Sequence, residues 1–195
     1  MLKKTLIFFP LMLTLLIFSC KTDPKTEKKE TVKEVDPIAE ITRNLPDPCS
    51  FLNEELVSST VDIPAENVTI KRGGDSPAVP AKSCFFKWSG GEVGNAGLMI
   101  QALGNPIPDE FPQWAFFFID NKKSQGEISM QEPDVPNKFT TIDIGDQGCY
   151  NHKLAKCYFR KGDTVFLIAL NGVSDDEKKI EIYKTVSDRM LSMLN

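Results

Sequence analysis

The chain has 195 residues, with 23 Lys and Arg against 27 Asp and Glu, a formal charge of −4, and 41% apolar residues. The acidic balance leaves no electrostatic footprint for nucleic acid and no polybasic patch to draw the chain onto anionic lipid. Length and apolar content suit one domain with its own core.

The first segment reads Met1-Leu-Lys-Lys, then an apolar run from Leu6 to Phe18, then Ser19-Cys20. A short basic start, an apolar stretch and a small residue before a cut describe a secretory signal. The apolar run falls short of the about 20 residues that span a bilayer, and Pro10 interrupts it. Ile17-Phe18-Ser19-Cys20 resembles the lipobox of bacterial lipoproteins. That resemblance implies cleavage after residue 19, with lipid on the sulfur and amino group of Cys20. Each buried methylene contributes about 0.8 kcal/mol, so two or three acyl chains anchor a protein where one binds marginally. Lys21 rather than aspartate follows Cys20. Within that family this implies the outer membrane, facing either the periplasm or the outside. Removing residues 1–19 takes away Lys3 and Lys4 and moves the charge from −4 to −6.

Residues 21–36 read KTDPKTEKKETVKEVD, five lysines against five acidic residues. Such a segment buries too little apolar surface to offset its ordering entropy, which predicts an extended, mobile tether over 20–36. A single domain over 37–195 follows.

Ile38, Ile41 and Leu45 at helical spacing predict a short leading helix. Asp47-Pro48 is a cap with proline behind it, and Asn53 caps a second helix that opens on Glu54-Glu55. A Pro- and Gly-bearing loop is expected from Pro64 to Ala81. Lys82 to Ser89 reads as a strand with Cys84, Phe86 and Trp88 on one face and Phe85 and Lys87 on the other. Gly90-Gly91 turns it into an antiparallel partner, Gly97 to Leu103. A helix is predicted over Asp109 to Gln125 from Phe111, Trp114, Ala115 and Phe118, with Gly126 ending it.

Strand-like pieces follow at Glu127 to Gln131 and Phe139 to Ile144. A hairpin spans Lys156 to Leu170 around Arg160-Lys161-Gly162-Asp163. The apolar run Val165 to Leu170 suits a central strand covered on both faces. Ser174-Asp175-Asp176-Glu177 is a capping box for a last helix. Ile180, Tyr183, Val186, Met190, Leu191 and Leu194 mark its buried side. The order predicts an α+β domain, an antiparallel sheet with flanking helices.

Besides Cys20 there are Cys49, Cys84, Cys149 and Cys157, an even number that suggests two disulfides in an exported chain. Of three possible pairings, Cys49–Cys84 and Cys149–Cys157 join chain neighbours and are preferred. Loop entropy assigns them about 4 and about 2.5 kcal/mol. Zinc is disfavoured because no cysteine pair has ligand spacing and there is one histidine.

Pro48-Cys49-Ser50-Phe51-Leu52-Asn53-Glu54-Glu55-Leu56, then Cys84 ahead of Trp88, Gly145-Asp146 and a final amphipathic helix resemble a domain-of-unknown-function family. Its members are small secreted lipoproteins of actinobacteria. The likeness runs from about Pro46 to Leu194. Three residues separate Cys84 from Trp88 where the family has one, and both spacings keep the two side chains on one strand face. The resemblance implies a PsbP-like α+β fold and a Cys49–Cys84 bridge, and it brings no catalytic residues.

His152 lies between Cys149 and Cys157, so Tyr150, Asn151, His152 and Lys153 form a candidate recognition tip on a bridged loop. No hydrolase elbow, phosphate loop or Cys-x-x-Cys pair occurs, and no cofactor or metal is called for. The aromatic block Trp114 to Ile119 reads as core packing. The expectation is a non-enzymatic, lipid-anchored envelope module. It would bind the membrane through its lipid, and either an unknown protein or a small apolar ligand. The alternative is an envelope enzyme or enzyme inhibitor with a site assembled from distant residues.

Overall fold

The computed structural model describes residues 36–74, 79–89 and 96–194. The signal segment, Cys20, the tether up to residue 35 and the Gly90-Gly91 turn lie outside the described residues.

Local capping sets the first elements. The Asp36 carboxylate accepts from the Ile38 amide at 2.9 Å and Pro37 fills the first position of helix α1, Pro37–Asn44. At its far end Lys82 Nζ donates to the carbonyls of Arg43, 3.0 Å, and Leu45, 2.5 Å, so a strand lysine supplies partners to the helix's last carbonyls. Asp47 accepts from Cys49 N at 3.1 Å and starts a 3₁₀ turn, Pro48–Ser50. That turn carries Cys49 to Cys84, where the two form a disulfide with Cα atoms 5.1 Å apart. Asn53 Oδ1 accepts from Leu56 N at 2.9 Å and opens helix α2, Glu54–Val61.

The expected loop after Pro64 contains a strand, β1, Val68–Arg72. Its alternation is weak in sequence, and it is held as an edge by β2, Ala81–Trp88. Next come β3, Ala96–Leu103, and helix α3, Trp114–Ser124. The helix begins five residues later than its periodicity suggests. Pro112 lacks an N–H and disfavours helical geometry at Phe111, so 109–113 forms turns instead. Gly126, at φ +82°, ends the segment in the left-handed conformation.

The remaining strands are β4, Glu127–Ser129, β5, Glu132–Asn137, β6, Thr140–Ile142, β7, Gln147–Asn151, β8, Lys156–Lys161, and β9, Thr164–Asn171. Helix α4, Asp176–Leu194, closes the chain. Its cap is Asp175, which accepts from Lys178 N at 2.7 Å, one residue past the predicted Ser174.

The main sheet has seven strands in the order β1-β2-β3-β9-β8-β7-β6, every neighbouring pair antiparallel. The fold is therefore α+β, and β9 is central as its apolar run suggests. One face packs Phe86, Ile100, Phe159, Phe166 and Ile168 with α2 and with Tyr183, Val186 and Met190 of α4. The other face packs Cys149, Tyr158, Val165 and Leu167 under Ala115 and Ile119 of α3. Among the described residues no helix is long and apolar enough to cross a membrane.

The second expected disulfide is overturned. Cys149 pairs across the ladder with Tyr158, and Cys157 with Tyr150. Directly opposed residues share a face and successive residues alternate. Cys149 therefore lies under α3 and Cys157 under α4, with the sheet between them. Both are buried free thiols.

Candidate functional site

The predicted recognition tip becomes a packed turn. Tyr150 and Asn151 end β7, and His152 to Ala155 make the connection to β8. Asn151 Oδ1 accepts from Leu154 N at 2.9 Å, its amide donates to Lys138 O at 2.8 Å, and Ala155 sits at φ 49°. No disulfide holds this turn. It is latched to the start of α4 instead. The Tyr150 and His152 rings meet edge to face at 4.6 Å. His152 Nδ1 lies 3.4 Å from Asp176 Oδ1, which accepts from Lys179 Nζ at 2.7 Å. Lys179 is only 8% exposed and reaches the His152 carbonyl at 3.5 Å. The hydrogen bond from Lys179 holds the Asp176 carboxyl below its ordinary range, helped by the charge of Lys179 and by His152.

One turn further, Tyr183 is fully buried with a hydroxyl that has no hydrogen-bond partner among the described residues. Burial pushes its ionisation up, and Cys157 and Asp176 push the same way. Of the four tip residues Lys153 alone is exposed, and it pairs with Glu132. The β7–β8 turn and α4 thus gather an imidazole, a carboxylate, an ammonium group and a phenol. Among the described residues no group of three or more His, Cys, Asp or Glu converges as a metal site.

A more open feature lies on the opposite face of the sheet. Helix α3 packs over β7, β8 and the start of β9, and toward the other end of β2, β3 and β9 the described residues leave a cleft whose Phe85, Met99 and Ala169 are half-buried. The register lines up Phe85, Met99 and Ala169 in one row and Lys87, Gly97 and Asn171 in the next. These rows line a cleft of about 530 Å³. Gly97 keeps its floor low, since a Cβ there would stand 3.0 Å from the Phe86 carbonyl. Apolar side chains on the floor and the Lys87 ammonium at the rim suit a small apolar ligand. The sequence signal was Phe85, a large aromatic on the strand face opposite the core. Met99 and Ala169 carry no such signal, because the sequence does not show where α3 stops.

No protein-family model, curated protein or solved structure matches the chain.

Proposed function

We propose that this protein is a lipid-anchored module of the bacterial cell envelope. It carries lipid on Cys20 and holds a small apolar ligand, or an apolar segment of a protein partner, in the cleft over Phe85, Met99 and Ala169. The observation that carries the binding role is that cleft of about 530 Å³, lined by half-buried apolar residues of the central sheet among the described residues. Support for the compartment comes from the lipobox-like Ile17 to Cys20, from Lys21 behind it for the outer membrane, and from the Cys49–Cys84 disulfide, which suits an oxidising environment. Within the α+β class we assign the fold to the PsbP-like group, on the motifs from Pro48 to Leu56 and Cys84 to Trp88.

Two measurements test the two halves. Cys20→Ser should release the domain from membranes or leave an unprocessed precursor; correct cleavage with continued membrane fractionation defeats the anchor. Protein purified in a mild detergent should carry an apolar adduct by native mass spectrometry, and Met99→Asp should lose it with the fold intact by circular dichroism. An adduct that survives that substitution, or none in the unaltered protein, defeats the ligand role of the cleft.

A further inference from the structure

We propose that the aromatic cluster at the start of α3 is a bilayer-docking surface, which lays the domain against the membrane that holds its anchor. The inference rests on the anchor reading above and adds a second membrane contact to it. Phe116 and Phe117 are 45% and 44% exposed on α3, although aromatics at helical spacing read as core in the sequence. Phe117 stacks on Phe111 at 5.3 Å and meets Phe116 edge to face at 5.3 Å. Ile107, 43% exposed, lies on the adjoining loop, where its carbonyl accepts from Phe111 N at 2.9 Å.

The display is built in. Asn105 is buried, accepts from Ile107 N at 2.9 Å and donates to Phe111 O at 2.7 Å, which fixes the loop that presents these side chains. The prolines at 106, 108 and 112 stiffen the same stretch.

What selects a bilayer as the occupant is where the rest of the chain joins. Pro37, Glu40 and Ile41 of α1 form one wall of a cleft whose other wall is Pro106, Ile107 and Pro108. The described chain thus begins, at Asp36 and Pro37, beside the loop through Ile107 that leads into Phe111 and the aromatic cluster. Whatever their conformation, the 16 residues from there back to Cys20 reach at most about 55 Å. A tether of that size holds a surface at an effective concentration of the order of millimolar. A patch too weak to bind membranes from solution is then docked much of the time. Asp109 and Glu110 flank the cluster on one side and the Arg160 guanidinium lies 5.9 Å from the Phe116 ring centroid on the other, so among the described residues no basic patch forms and the contact is chiefly apolar, made with zwitterionic headgroups and their acyl boundary.

The test uses the chain from Cys20 onward, which keeps the whole compact unit Val35–Asn195. It is coupled through the Cys20 thiol to maleimide lipid in vesicles of phosphatidylethanolamine and phosphatidylcholine. Cys149 and Cys157 are buried and Cys49 is bridged to Cys84, so position 20 takes the label. Trp114 opens α3, while the other tryptophan, Trp88, is 6% exposed in the core. Acyl chains brominated near the headgroup should quench Trp114. Phe116→Ser with Phe117→Ser should lower the docked fraction about ten-fold at unchanged circular dichroism.

No quenching in the unaltered chain, or equal quenching in the double variant, overturns the proposal. So does concentration-dependent dimerisation of the uncoupled chain that the same substitutions abolish without any quenching. Because coupling is chemical, failure here is separate from failure of the anchor reading, which would show as Cys20 without lipid in the mass spectrum of cell-derived protein.

Discussion

The single disulfide and the two free thiols should differ in what they contribute, by an amount the structure sets. Cys49 and Cys84 are 35 residues apart, and closing a loop of that length removes about 4 kcal/mol of unfolded-chain entropy. Cys149 and Cys157 close nothing. Each fills core volume, and deleting its sulfur costs about 1 kcal/mol, about 2 for the pair. With a guanidinium m-value of about 4 kcal/mol/M, opening the Cys49–Cys84 bridge should lower the denaturation midpoint by about 1 M, and Cys49→Ala with Cys84→Ala by more, because the buried Cys84 sulfur is lost as well. Cys149→Ala with Cys157→Ala should lower it by about 0.5 M.

Dithiothreitol should reproduce the first shift in the unaltered protein and leave the second variant's own deficit in place. Alkylation in denaturant without reductant should label Cys149 and Cys157 but neither Cys49 nor Cys84. In the native protein both thiols should react slowly. Burial removes access, pushes the Cys149 thiol up to about 12 and pushes Cys157 up as well. If Cys149 and Cys157 resist alkylation in denaturant, the placement of β7 against β8 is wrong; if reductant leaves the midpoint unchanged, the Cys49–Cys84 bridge is wrong.

Glu127 is gripped by Lys122 at 3.0 Å, by Lys156 and by the Tyr158 hydroxyl at 3.0 Å. Burial works against its charged form, yet the two lysines hold its carboxyl below the ordinary 4.5. A lowered carboxyl contributes stability that is present above 4.5 and is lost as pH falls through the lowered value. Glu127→Gln should cost about 1–3 kcal/mol at pH 7 and flatten the acid limb of a melting-temperature profile; an unchanged limb refutes the grip. Gly145→Ala should be far more disruptive than Gly162→Ala, although both glycines have positive φ, +63° and +59°. A Cβ at 145 would lie 2.5 Å from the Arg160 carbonyl, whereas at 162 it meets open space. Gly162→Ala should cost about 1–2 kcal/mol, and equal melting temperatures for the two would contradict the close approach at 145.

The sequence by itself determined what is encoded within a few residues. The Asn53 cap, the late hairpin around Gly162, the buried stripe of α4 and the two faces of β2 each follow from periodicity or from a side chain meeting its own backbone. Tertiary structure decided the rest. Cys49–Cys84 was one of three pairings open in the sequence, and the packing of the 3₁₀ turn against β2 selects it. The edge strand β1 exists because β2 offers it a ladder, which its own residues do not announce. Phe116 and Phe117 read as core within the aromatic block Trp114 to Ile119, but α3 turns Ala115 and Ile119 to the sheet and leaves the two rings outside. The half-buried row of Phe85, Met99 and Ala169 depends on how far the packing under α3 reaches, which no local pattern records. Cys149 and Cys157 show the physical reason most plainly. Their spacing would oppose them if the intervening turn were shifted by one residue. The turn at His152 to Ala155 sets the register instead, and a one-residue difference in register sends each thiol to a different face of the sheet.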